Sequence, residues 1–487
     1  MNGSQMRSFL RTWGVFALVS ALFASTRLWR LTEHSLRPDE IFSLQTARQD
    51  WIGLIHAAVR DVVHPPLFYA LLKSWIAVGG DSEYWLRLLP VLIAALTPLP
   101  FLLLGRRLGI GWNAINLGVL LMAVNAYLVY FARDLRMYSL VPLLTVCSLW
   151  LMFRYKDGAP DDRKRWLPLF AVNVLLVYSH YFGWLIVAGE ALILCLDDRR
   201  RVRAVLLSCA ALLLLFIPWA ALVARASLAR GGLESSIGSF ARPTLGDLGG
   251  YYVLLTGRLD SSALTALGIA LTVAPVLCLA MRLARRRAPA DTTDRAPLAF
   301  WSLALFATMP VLVVFLLSQV LPQSIWGTRM LVLSAAPYLL LVAMSLDALR
   351  PKWLRNLTVV AVVVYTAFAG MRGMLDTGDN DWRPLVRQMM ASEPSRVPGV
   401  VVYAFGSMDE VIAFYAGEAG DRRFETRRIR DRRSIAGEHF WVAYRERNQP
   451  QLLDFLRDNG YRINEEFRDG YGGVLVSVRR IGPTAVG

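Results

Sequence analysis

Residues 13–43 read W-G-V-F-A-L-V-S-A-L-F-A-S-T-R-L-W-R-L-T-E-H-S-L-R-P-D-E-I-F-S. An apolar run gives way to a polar segment that ends on two adjacent carboxylates, Asp39 and Glu40. A bilayer core of about 30 Å takes roughly 20 apolar residues in a helix, and such runs recur down the chain. Of 487 residues 55% are apolar and 18% charged, and the mean hydropathy is +0.42. A soluble chain would carry roughly 25% charged residues. The composition speaks against a disordered protein and against an ordinary cytosolic enzyme domain, and it points to a membrane protein.

Eleven spans follow from the apolar runs: 10–30, 84–104, 113–132, 137–153, 166–179, 181–197, 204–224, 262–282, 298–318, 329–347 and 356–372. The first is short between Arg11 and Arg27 and also suits a signal peptide. The chain continues without a clear cleavage context, so a retained helix is expected. The run 166–197 can be read as one long helix, but Ser179-His180-Tyr181-Phe182-Gly183 is polar enough to turn. Only Arg133-Asp134-Leu135-Arg136 separates the third span from the fourth.

The net charge is +16, and from Asp376 onward 17 basic residues face 17 acidic ones, so the excess lies wholly in the apolar part. It sits in every second loop: Arg106-Arg107, then Arg154 to Arg165, Arg199-Arg200-Arg201, Arg282 to Arg287, and Arg350 to Arg355. By the positive-inside rule these loops are cytoplasmic, as is the N-terminus. Eleven spans then put the C-terminal segment outside, with loops 31–83 and 225–261. A basic excess placed this way belongs to membrane topology, and no nucleic-acid partner is expected. Cys147, Cys195, Cys209 and Cys278 lie in apolar runs without CxxC spacing, so neither disulfides nor a thiolate metal site is expected.

Residues 373–487 read as a small α/β domain. Trp382 to Ala391 and Gln451 to Asp458 suit helices, while Val400 to Phe405, His439 to Tyr444 and Gly473 to Val478 suit strands. Ser407 with Glu410 has the spacing of a capping box. No glycine-rich nucleotide fingerprint follows the first strand, so this domain is assigned no cofactor.

Five outer segments carry chemistry. Arg37-Pro38-Asp39-Glu40-Ile41-Phe42-Ser43 places two acids beside the bilayer as a general base or as metal ligands. Taken alone, the same residues read first as a plain helix start, with Pro38 in the first turn and acids favoured by the macrodipole. His64-Pro65-Pro66-Leu67-Phe68-Tyr69 is stiff and non-helical at its start. Arg133, Asp134 and Arg136 are either snorkelling groups or point into the same site as Asp39. Tyr178 to Gly183 brings His180 and Tyr181, and Trp326-Gly327-Thr328-Arg329 brings an arginine whose donor fork suits phosphate.

In order, R-P-D-E-I-F-S, H-P-P-L-F-Y, S-E-Y-W-L-R-L-L-P, A-R-D-L-R-M-Y-S-L and Y-S-H-Y-F-G resemble the family 39-like bacterial membrane glycosyltransferases of the GT-C fold. These are relatives of protein O-mannosyltransferases and of the aminoarabinose transferase acting on lipid A. The resemblance covers roughly residues 1–345; the tail is similar only in being an extracytoplasmic α/β domain. It implies a polytopic α-helical protein of the bacterial cytoplasmic membrane. Such a protein moves a sugar from a polyprenyl-phosphate carrier to an acceptor hydroxyl on a lipid, polysaccharide or protein. Asp39 matches the acid proposed as general base, Glu40 its neighbour and Asp134 the second acidic position. From chemistry and topology, Arg329 with Arg133 or Arg136 would hold the lipid phosphate, and His64, His180 and Tyr181 would shape the sugar pocket. Metal dependence stays open: Asp39, Glu40, Asp134 and His64 suit a divalent cation (Mg or Mn), though an Asp-Glu pair falls short of a coordination set. The hinge-rich loop 225–261, with Arg230-Gly231-Gly232, reads as a lid or as a plain connector.

The competing reading is a transporter or flippase of lipid-linked sugars. Transporters place ionisable residues near mid-membrane and show paired broken helices. Here Glu190 is the chief embedded carboxylate, and no matched pair of interrupted spans is evident.

Overall fold

The computed structural model describes residues 3–160, 162–229, 241–285, 294–375, 380–393, 399–469 and 472–481. The Arg230-Gly231-Gly232 part of the proposed lid lies outside them. The chain divides into two compact units: Met1–Trp29 with Thr46–Asp376, and Arg30–Gln45 with Thr377–Gly487. The acidic segment of the first outer loop thus groups with the C-terminal unit.

The first unit is helical. Among the described residues six helices are long and apolar enough to cross a membrane: Glu83–Arg107, Arg199–Leu228, Ser262–Ala284, Ala296–Val320, Thr328–Asp347 and Lys352–Leu375. They correspond to six of the eleven expected spans. Helices Leu140–Lys156, Arg163–Ser179 and Gly183–Asp197 match three more in position, with 17, 17 and 15 residues. The run 166–197 breaks at His180 to Phe182, so it forms two helices.

The span expected over 113–132 is different. It is a pair of helices, Trp112–Val124 and Ala126–Arg133, bent by 65°. Asn125 makes the bend. Its Oδ1 accepts from the Leu128 amide at 2.9 Å and so caps the second helix. Its Nδ2 donates to the Leu254 and Leu255 carbonyls at 3.1 and 3.0 Å, satisfying groups that end helix Leu245–Thr256. Gly370 of helix Lys352–Leu375 packs directly on this break, where a Cβ would meet the Val124 carbonyl oxygen at 1.8 Å. Only glycine fits.

The basic loops come together in space. Asp157 forms an ion pair with Arg107 and accepts from Arg295, each at 3.0 Å, Lys156 pairs with Asp197 at 2.7 Å, and Arg201 donates to the Tyr155 carbonyl at 3.0 Å. Loops that alternate along the sequence therefore share one end of the unit, as the alternation of charge requires. Inside the bundle Glu190 accepts from Ser148 at 2.5 Å and from Asn173 at 2.8 Å. The embedded carboxylate ties three helices together, and a partnered buried acid of this kind is a satisfied structural group.

The first outer loop holds more structure than its sequence announces: helices Pro38–Arg48, Trp51–Asp61 and Leu67–Gly79. Trp51–Asp61 is amphipathic, with Leu54 and Ala58 buried and Trp51 and Ile52 exposed. Asp50 caps it through the Gly53 amide at 2.7 Å.

The second unit is a five-stranded sheet: β1 Val400–Phe405, β2 Phe424–Ile429, β3 His439–Arg445, β4 Tyr461–Arg468 and β5 Gly473–Arg480, in the order β2-β1-β3-β5-β4. The first three are parallel; β5 runs antiparallel to β3 and to β4. Helices Trp382–Ser392, Met408–Glu418 and Leu452–Asp458 complete it. Ser407 occupies the cap position of Met408–Glu418 but makes no capping bond, and Glu410 pairs with Arg428 instead. The expected capping box is therefore absent. Residues 32–36 are stitched to this unit: Ser35 donates to the Asn380 carbonyl at 3.0 Å, Arg383 to that of Thr32 at 2.8 Å, and Tyr415 accepts from the Leu36 amide at 2.7 Å.

Candidate functional site

The richest polar cluster of the first unit grows from the end of helix Trp51–Asp61. Val62 stops the helix with φ 63°, a left-handed conformation that a β-branched residue adopts only under strain. Its carbonyl is held by the Tyr181 hydroxyl at 3.1 Å, and the Trp219 indole donates to that hydroxyl at 3.2 Å. The turn sends His64 back over the helix end, where its Nδ1 lies 3.0 Å from Asp61 Oδ2. The Tyr69 hydroxyl reaches the same oxygen at 3.2 Å. Arg136 closes the ring, with Nη1 donating to the Tyr69 hydroxyl at 3.2 Å and Nη2 2.9 Å from His64 Nδ1. Two of its members, His64 and Arg136, are expected site residues; Asp61 and Tyr69 are not. Asp61 carries a signal that sequence reasoning passed over: an acid at the last position of a helix opposes the macrodipole and needs another reason to be there.

His180 stands beside this ring, its imidazole edge-to-face with that of His64 at 5.9 Å between centroids. The Phe182 amide donates to His180 Nδ1 at 3.1 Å, so the neutral ring carries its proton on Nε2. His64 and His180 are both buried, and neither Nε2 has a partner among the described residues. Burial, and then the Arg136 charge, pulls His64 down to about 4. Burial, with His64, Arg136 and Arg329 adding, pulls His180 down to about 3. Burial pushes Asp61 upward, but the His64 and Tyr69 hydrogen bonds and the charge of Arg136 outweigh it and hold the carboxyl below its usual range. At neutral pH the cluster thus offers neutral imidazoles beside arginine charge.

A cavity of about 550 Å³ opens alongside. Its walls are apolar, with Val62, Phe216, Val223, Ile325 and Met330 among them, and His180 and Tyr181 also line it. Volume and lining suit an elongated hydrocarbon. Arg329 lies on the segment Thr328–Ser334, which the Tyr127 hydroxyl holds at the Thr328 carbonyl and the Tyr251 hydroxyl at that of Leu331, both at 2.6 Å. Its charge reaches both histidines.

The remaining expected residues make contacts of their own. Arg133 donates to the Arg27 carbonyl at 3.1 Å and to that of Thr26 at 2.5 Å, binding the open end of the first helix. Asp134 is buried and terminates helix Ala126–Arg133. Asp39 and Glu40 belong to the second unit, in the first turn of helix Pro38–Arg48. Glu40 Oε2 accepts from the Arg37 amide at 3.0 Å, so this acid caps its own helix. Among the described residues no three His, Cys, Asp or Glu converge as a metal-binding set.

No protein-family model and no curated protein matches this chain. Solved structures do. ArnT from Cupriavidus metallidurans bound to undecaprenyl phosphate superposes with a TM-score of 0.54 at 14% identity, over 96% of this chain and 97% of that one. The chain has the GT-C fold. A second GT-C structure, the Archaeoglobus fulgidus oligosaccharyltransferase tethered with an acceptor peptide, matches with a TM-score of 0.47 at 12% identity, over 85% of this chain and 63% of that one. The near-complete coverage of ArnT extends the GT-C likeness through the C-terminal unit, beyond the segment that the sequence motifs mark.

Proposed function

We propose that this chain is a membrane glycosyltransferase that takes a sugar from a polyprenyl-phosphate donor and passes it, with inversion, to an acceptor hydroxyl. The single observation that carries the reading is the apolar cavity beside the His64–Arg136–His180 cluster. A polyprenyl chain requires an apolar wall, and its phosphate requires fixed positive charge close to one end of that wall. The GT-C fold supports it, and undecaprenyl phosphate is bound to ArnT in the structure this chain resembles.

In the proposed reaction the acceptor oxygen attacks the anomeric carbon while the bond from that carbon to the phosphate oxygen breaks. The bonding pair leaves with the phosphate, and the hydroxyl proton passes to Asp39, oriented by Glu40. Arg136 and Arg329 stabilise the charge that grows on the departing phosphate. The Nε2–H of His180 supplies a neutral donor to the sugar or the phosphate, and His64 and Tyr181 shape the pocket. Arg133 holds the helix end that precedes the acidic loop, and Asp134 fills the second acidic position. We place the basic loops in the cytoplasm and the site at the outer face of a bacterial cytoplasmic membrane.

The experiment is a donor screen in nanodiscs, with polyprenyl-phosphate sugars mixed with purified protein and the released polyprenyl phosphate read by mass spectrometry. At least one donor should be turned over, and Asp39→Asn should abolish transfer while the protein stays folded. Normal transfer by the Asp39→Asn variant would remove Asp39 from its role; no turnover of any donor would remove the reading.

A further inference from the structure

Helices Arg163–Ser179 and Val202–Leu228 lie side by side and run the same way. The Trp166 indole donates to the Ser208 hydroxyl at 2.6 Å, and further along the Tyr178 hydroxyl donates to the Leu215 carbonyl at 2.7 Å. Their starts therefore share one end of the bundle, where the basic loops meet. Arg163 and Lys164 open the first helix; Arg199 and Arg200 lie on the 3₁₀ turn before the second, and Arg203 in its first turn. Neither helix has an acid in its first turn, and the macrodipole disfavours cations there. All five basic residues are exposed, and none forms an ion pair among the described residues. The described carboxylates nearest in sequence have other partners: Asp162 holds Arg165 at 3.0 Å, Asp197 holds Lys156 at 2.7 Å, and Asp198 caps the Arg200 amide at 2.9 Å. Arg201 is buried and donates to the Tyr155 and Lys156 carbonyls at 3.0 and 2.8 Å, which fixes the turn that carries Arg199 and Arg200.

Apolar surface adjoins this charge. A furrow between the two helices and Gly183–Asp197 is lined by Trp166, Leu169, Phe170, Leu194 and Val205. Asn173 and Glu190 also line it and bond to each other at 2.8 Å. Leu167, Leu206 and Leu207 are exposed, about one helical turn along from Arg163 and Arg203. Trp166 stands at the join, the level at which aromatic rings settle between headgroups and acyl chains. Exposed cations one turn from exposed leucines match a molecule with an anionic head and hydrocarbon tails.

We propose that this corner binds an anionic phospholipid, with its phosphate against the five basic residues and its acyl chains along the furrow. The furrow shares no lining residue with the cavity beside His180, and the proposal does not rest on the glycosyl-transfer reading. Full-length protein in detergent micelles is titrated with phosphatidylglycerol, or with phosphatidylcholine of the same acyl chains, and bound lipid is counted by native mass spectrometry. Phosphatidylglycerol should bind about tenfold more tightly, with the difference shrinking as salt rises. Arg199→Gln with Arg203→Gln should weaken its binding about tenfold or more, and Arg199→Lys with Arg203→Lys should keep most of it. Arg282→Gln with Arg285→Gln removes the same charge from another exposed basic loop and should leave the affinity unchanged. Phosphatidylglycerol should also raise the Tm of the unaltered protein more than that of the Arg199→Gln, Arg203→Gln variant. Equal affinity for the two lipids, equal loss in the two glutamine pairs, glycerol 3-phosphate binding as tightly as the lipid, or unchanged affinity in Arg199→Gln with Arg203→Gln would each overturn the proposal.

Discussion

Arg136 and His64 meet at a single nitrogen: Nη2 of the arginine lies 2.9 Å from Nδ1 of the histidine, which also lies 3.0 Å from Asp61. The three groups and Tyr69 form one closed ring, so the guanidinium is locked in place before any ligand arrives. Preorganised charge of this kind stabilises a departing phosphate without reorganising during the reaction. Arg136→Gln should therefore lower kcat by about 10²–10³-fold. Arg136→Lys should recover part of the loss, because it keeps the charge and loses the fork. Tyr69→Phe removes one arm of the ring and no charge, and should cost at most about tenfold. Steady-state release of polyprenyl phosphate checks all three, and equal rates in Arg136→Gln and the unaltered protein would exclude a role for this charge.

The depressed histidines make stability depend on pH in one direction. His64 and His180 titrate at about 4 and about 3 in the folded chain and near 6.5 when unfolded. Below 6.5 the unfolded state binds protons that the folded state refuses, so acid favours unfolding. Their contribution is complete above about pH 6.5 and is lost as pH falls, levelling off near 4 for His64 and 3 for His180. Thermal unfolding in detergent at pH 7.5, 6 and 5 should show the decline. The pair His64→Gln with His180→Gln should flatten it; an unaltered slope would mean that other groups set the acid response.

Much of this architecture can be read from one-dimensional pattern, and the exceptions have physical causes. The apolar runs of β1, β3 and β5 announce buried strands. β2 (F-E-T-R-R-I) and β4 (Y-R-I-N-E-E-F-R) escape notice because they are the two edges of the sheet, and edge strands carry charge that discourages pairing with other chains. The bend at Asn125 is hidden because one polar residue hardly dilutes an apolar run; its effect depends on carbonyls about 130 residues away that only the fold brings near. Arg136, His180 and Tyr181 are visible as polar residues at span ends, and His64 through the stiff His64-Pro65-Pro66 stretch of the first outer loop. Asp61 and Trp219 acquire meaning only through long-range contacts, although the acid at a helix C-terminus was a readable anomaly.

The same break gives a structural prediction. Gly370→Ala would place a Cβ 1.8 Å from the Val124 carbonyl oxygen, and backbone cannot yield as a flexible side chain can. The helices must part, at a cost of about 3 kcal/mol or more. The variant should unfold at a clearly lower temperature in detergent, whereas Gly14→Ala, which meets nothing within 4 Å, should leave the transition in place. Equal unfolding temperatures would mean that the two helices do not pack at this point.

The cavity itself can be tested by filling it. Ala224 lies on helix Val202–Leu228 and lines the apolar wall, where it is exposed rather than packed in the core. Ala224→Trp adds bulk to the space without disturbing buried neighbours, so the fold should tolerate it. If a polyprenyl chain occupies this wall, donor KM should rise about tenfold or more, as expected when roughly 1.4 kcal/mol of binding is lost. Because the substitution touches none of the charged groups, kcat at saturating donor should change far less than KM. A short-chain donor that ends before Ala224 should be indifferent to the change. A variant with unchanged KM for the long-chain donor would place the lipid somewhere other than this cavity.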